Sequence, residues 1–148
     1  MKTLLNEMAT LRKAKTKLPV NIYVDDAGTY INGGHSKRIK FQKDYGNTPI
    51  TREFATMTLE GEIIQETMSG CEVKTKDLQK IKNFVLNNKE ALSHLADAEI
   101  DIFEFSEIMI SGGEIATKEQ KEKQQTLLNE LLKDLDNKVV EFGFDFKR

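Results

Sequence analysis

The chain has 148 residues, 31% of them charged, with a formal net charge of −2 and a mean hydropathy of −0.49. That length suits one domain with its own core, and no apolar run approaches the roughly 20 residues that a membrane helix needs. One cysteine (Cys71) and two histidines can build neither an internal disulfide nor a zinc site of about four ligands, so a reducing, cytoplasmic setting without membrane or metal is expected.

Charge is unevenly spread. Residues 1–52 carry ten Lys/Arg against four Asp/Glu, and the remainder twelve against twenty. Leu4, Leu5, Met8 and Leu11 share one helical face ahead of Pro19, predicting a lead-in helix within residues 1–17. No continuous apolar h-region follows Met1, so a secretory signal is not expected.

Residues 18–70 read as a strand meander. Val20, Ile22 and Val24 alternate with Asn21, Tyr23 and Asp25, the pattern of a half-buried strand. Asp25-Asp26-Ala27-Gly28 is a turn, Thr29-Tyr30-Ile31 a returning strand, and Asn32-Gly33-Gly34 a second turn. In the strand after it, Ile39 and Phe41 face inward and Arg38 and Lys40 outward. A polar loop with Gly46 and Pro49 precedes residues 54–68, one or two strands broken at Glu60-Gly61.

Leu78, Ile81, Val85, Leu92 and Leu95 recur at helical spacing, predicting the main helix over 75–96 with Thr75 as cap and Asp77 in its first turn. A shorter helix starts near Asp101 and stops at Ser111-Gly112-Gly113. Thr117 and Gln120 form a capping-box pattern opening a helix over 117–137. Its first turns are polar all round, and Leu127, Leu128, Leu131, Leu132 and Leu135 supply an apolar stripe only later. Val140, Phe142, Phe144 and Phe146 predict a final strand over 139–146. The expected fold is therefore α+β and a single domain over 1–148: a small antiparallel meander packed against helices, with a long C-terminal helix and a final strand.

Catalytic patterns are weak. His35 near Asp25, Asp26, Lys37 and Arg38 could do acid–base work on phosphodiesters, but Asp and Gly-Gly-His at these positions are residues that turns select. His94 lies on a helix face. The segment around Asp101 and Glu104 mimics the exit of a calcium loop, yet Ser93, Leu95 and Ala98 stand where two ligands and a glycine are required. "NGGHSK" and "SGGEIATK" lack the spacing of a phosphate loop, and Cys71 has no histidine near it in sequence. No catalytic residue, metal or cofactor is assigned.

Two binding readings remain. Between Glu90 and Ala116 stand seven acidic residues and no Lys or Arg, interspersed with Ile102, Phe103, Phe105, Ile108, Met109 and Ile110. An exposed apolar patch rimmed by acid is a docking surface for protein, with Glu99, Asp101, Glu104 and Glu107 as its candidate residues; alternatively Phe103, Phe105 and Met109 close the core. The second reading is nucleic acid, bound by Tyr30, His35, Lys37, Arg38 and Lys40, with Arg12, Lys13, Lys15 and Lys17 extending the basic patch and Tyr23 also available to stack bases. A pI near 5.8 weighs against it.

"LPVNIYVDDAGTYINGGHSKRIKFQ" followed by "DLQKIKNFVLNNKEALSHLADAEIDIFEF" resembles a group of small uncharacterised proteins of anaerobic gut bacteria and their mobile elements. It distantly resembles a family of small α+β proteins suspected of being toxin–antitoxin components, in which a short meander precedes a "KI..FV..N...L" helix. The resemblance covers about residues 18 to 110. That family's "PPH.H" motif is replaced here by Pro19-Val20-Asn21-Ile22, so its histidines do not carry over. The resemblance implies a fold type and a mobile-element or phage setting, and no activity. The expectation is a non-enzymatic protein-interaction module, acting as an accessory or anti-defence factor; the alternative is a nucleic-acid-binding or nuclease-like toxin component using the basic meander.

Overall fold

The computed structural model describes residues 8–25, 37–46 and 54–141. Four strands, β1 (Met8–Leu11), β2 (Ile22–Asp25), β3 (Arg38–Gln42) and β4 (Phe54–Thr58), form an antiparallel sheet in sequential order. Among the described residues five α-helices accompany it: α1 (Lys13–Thr16), α2 (Thr75–Asn87), α3 (Lys89–Ala96), α4 (Ile102–Ile108) and α5 (Lys118–Glu141). The α+β meander with a long C-terminal helix is thus present.

Alternation along the strands separates two faces. Register places Leu11, Ile22, Phe41 and Ala55 in one cross-strand row and Ala9, Val24, Ile39 and Met57 in the next. Of these rows, Leu11, Ile22, Val24, Ile39, Phe41, Ala55 and Met57 face a core completed by Ile81, Phe84 and Val85 of α2, Leu92 of α3, Phe105 of α4 and Leu128 of α5. Each such buried side chain contributes on the order of 2 kcal/mol. The other face carries Thr10, Tyr23, Lys40 and Thr56 in one row.

Several elements differ from the sequence expectation. Residues 8–11 of the expected lead-in helix form strand β1, because pairing with β2 satisfies the backbone groups of Ala9 and Leu11 and buries Leu11; among its described residues Lys13–Thr16 are helical. Tyr23, expected on a solvated face, is fully buried, its ring packed on Phe54 with centroids 4.6 Å apart. The main helix is two helices, interrupted at Asn88. Lys74, not Thr75, is its N-cap residue and makes no side-chain cap bond. The phenol of Tyr45 supplies the cap instead, accepting the Lys74 N–H at 2.8 Å and donating to Asp77 Oδ2 at 2.7 Å. The Lys74 N–H favours the phenolate, but desolvation and the Asp77 carboxylate outweigh it and hold Tyr45 above its ordinary pKa.

α5 opens as expected, with reciprocal bonds between Thr117 and Gln120. It runs to Glu141, so residues 139–141 of the expected final strand are helical, continuing a hydrogen-bonded ladder already begun. The rest of that strand, and the returning strand at Thr29-Tyr30-Ile31, lie outside the described residues.

Candidate functional site

The two edges of the sheet are treated differently. On β4, Thr58 N–H donates to Glu62 C=O at 2.8 Å, Ile64 N–H to Thr56 C=O at 2.9 Å, and Thr56 N–H to Thr67 Oγ1 at 2.9 Å. The chain folds back and closes that edge. On the opposite edge, β1 has no further strand beside it among the described residues.

The direction of the β1 backbone groups follows from register. Gln42 N–H donates to Asn21 C=O at 3.2 Å, so this pair is a hydrogen-bonded one, and alternation turns Ile22 and Val24 toward β1. Their partners Leu11 and Ala9 therefore bond β2, while Thr10 presents its N–H and C=O to the outer side.

Beside this edge lies a groove of about 460 Å³, lined from β1 and α1 by Thr10, Leu11, Arg12 and Lys15 and from α4 by Ile102, Phe103, Ser106 and Glu107. α4 is set by a full capping box. Asp101 Oδ1 accepts the Glu104 N–H at 2.7 Å, and Glu104 Oε1 accepts the Asp101 N–H at 2.9 Å. Its inner face presents Phe105 and Ile108 to the core. Phe103, Ser106 and Glu107 recur at i, i+3 and i+4 and form the outer face. Phe103 is 76% exposed on that face, where helix formation requires no apolar residue. Arg12 and Lys15 on the opposite rim are exposed and enter no ion pair with a described residue.

The acidic candidates thus have separate fates. Glu99 Oε1 lies 2.6 Å from His94 Nδ1, and Asp101 and Glu104 are occupied in capping α4. Glu107 alone of the four lines the groove. The alternative in which Phe103, Phe105 and Met109 all close the core holds for Phe105, which is fully buried, and for half-buried Met109, but not for Phe103.

Of the basic candidates, Tyr30 and His35 lie outside the described residues. Lys37 Nζ donates to Ser93 Oγ at 2.8 Å and pairs with Asp97. Arg38 and Lys40 are half-buried on β3. Tyr23 cannot stack a base, since its ring is fully buried.

Sequence reasoning placed Thr10 and Leu11 on a helix and so missed the β1 side of the groove, and it read Arg12 and Lys15 only as part of a basic patch for nucleic acid. The available signal was the extended reading of Met8–Leu11, which four residues are too few to separate from helical spacing. Among the described residues no group of His, Cys, Asp or Glu could hold a metal ion, and no helix is long and apolar enough to cross a membrane. No family model, curated protein or solved structure matches the chain.

Proposed function

We propose that this chain is a non-enzymatic protein-interaction module that docks its partner along β1 and in the groove between β1 and α4. The observation that carries the reading is the coincidence of an outward-turned strand edge with exposed Phe103 over a largely apolar cleft. Scattered exposed apolar residues are ordinary on protein surfaces; one aromatic residue beside an edge with no further described strand offers main-chain bonds and a side-chain anchor together. These are the two elements of recognition by strand addition. In the mobile-element or phage setting that the sequence resemblance implies, such a module acts as an accessory or anti-defence factor by occupying a protein of the host.

The test is site-specific photo-cross-linking in living cells, with a photoreactive residue replacing Phe103 and, as control, Gln125 on the exposed face of α5. One discrete cross-linked protein is expected from position 103 and none from position 125. Equal patterns from both positions, or no adduct at 103, would sink the assignment. The basic-meander alternative instead requires RNA or DNA to co-purify and to be released by salt.

A further inference from the structure

The docking reading leaves the chemistry of the partner open, and the walls of the groove restrict it. Leu11, Ile102 and Phe103 supply its apolar lining, Arg12 and Lys15 stand on the strand side, and Glu107 is the one acid at its rim among the described residues. Two exposed cations without described ion-pair partners bordering an apolar cleft complement a carboxylate carried beside an apolar group. Alternation fixes how these would be spaced. Leu11 shares the core-side face with Ile22, whereas Thr10 falls on the other face, and the chain stays extended through Arg12 (φ −70°, ψ 145°). A segment adding to β1 would send successive side chains to these two faces in turn.

Resting on that docking reading, we infer that the groove takes an extended segment of another protein in which an aspartate or glutamate directly neighbours a bulky apolar residue. The apolar side chain packs beside Phe103 and Ile102. The carboxylate meets Arg12 and Lys15, and the segment's backbone pairs with Thr10. A basic partner is disfavoured, since it would set its charge against both cations, with Glu107 the one described acid of the groove to offset it.

The experiment is selection of phage-displayed random peptides on the full chain, followed by titration of a labelled selected peptide. The variants are Arg12→Glu with Lys15→Glu, Phe103→Ser, and Thr10→Pro, which removes an outward N–H without removing a ladder bond. Enriched peptides should pair an acidic with an apolar residue. Affinity should fall about tenfold or more on charge reversal, equivalent to about 1.4 kcal/mol, and also on Phe103→Ser. Peptides lost on Phe103→Ser but indifferent to charge reversal would overturn the acidic partner and leave the docking surface standing. Peptides indifferent to all three variants would remove both. Enrichment of no peptide, with a concentration-dependent dimer abolished by Thr10→Pro, would give the edge to a second copy of this chain and overturn the inference.

Discussion

The side-chain amide of Gln124 on α5 donates to Asn88 Oδ1 across 2.7 Å, with Asn88 fully buried at the junction of α2 and α3. Asn88 Oδ1 also accepts the Ile110 N–H at 2.8 Å, and its Nδ2 donates to Phe84 C=O and Ile110 C=O, both at 2.9 Å. One side chain thereby ends a helix, anchors the segment after α4 and receives α5. Both donors and both lone pairs of its amide are used.

Asn88→Ala strands several buried backbone groups, and the free energy of unfolding should fall by about 2–4 kcal/mol. In a double-mutant cycle with Gln124→Ala, read by chemical denaturation, the two sites should couple by about 1 kcal/mol. Strict additivity would mean that the bond between them contributes nothing to the fold.

Phe103 and Phe105 are two positions apart on α4 and should respond oppositely. Phe105, fully buried, should cost about 3–5 kcal/mol on replacement by alanine. Phe103→Ser should change stability by less than about 0.5 kcal/mol, while removing the proposed anchor. Denaturation midpoints of the two variants decide it; equal losses would place Phe103 in the core.

The capping box separates structural from binding acids. Asp101→Ala should destabilise the domain by about 1 kcal/mol, and Glu104→Lys by a comparable amount through loss of the reciprocal bond. Glu107→Lys should leave the denaturation curve in place, because Glu107 is exposed and caps nothing. Charge reversal at Glu104 is therefore a poor probe of binding, and Glu107 is the acid to change.

Tyr45 gives the fold an alkaline limit. Its pKa is raised in the folded state, so folding favours the protonated phenol. The resulting stability is fully present below the unfolded value near 10 and is lost as pH rises through the folded one. Unfolding midpoints measured from neutral to alkaline pH should fall in that window, and Tyr45→Phe should remove this component while lowering stability at neutral pH. An unchanged alkaline profile in the variant would dissociate Tyr45 from the effect.

What the sequence determined by itself was whatever depends on near neighbours along the chain. The inward placing of Ile39 and Phe41, the helix starting at Asp101 and the Thr117–Gln120 box are all set by residues within a few positions, and all appear as read. Tertiary structure decided the features whose partners are distant. Met8–Leu11 is a strand only because β2 lies alongside it, Tyr45 caps α2 from 29 residues away, and Asn88 interrupts the main helix in contact with Ile110 and Gln124. The groove belongs to the same class. Its walls come from β1, α1 and α4, and no pattern within either stretch reports which strand edge the described residues leave without a neighbouring strand or which phenylalanine the core leaves outside, since both follow from how the sheet and helices close on one another.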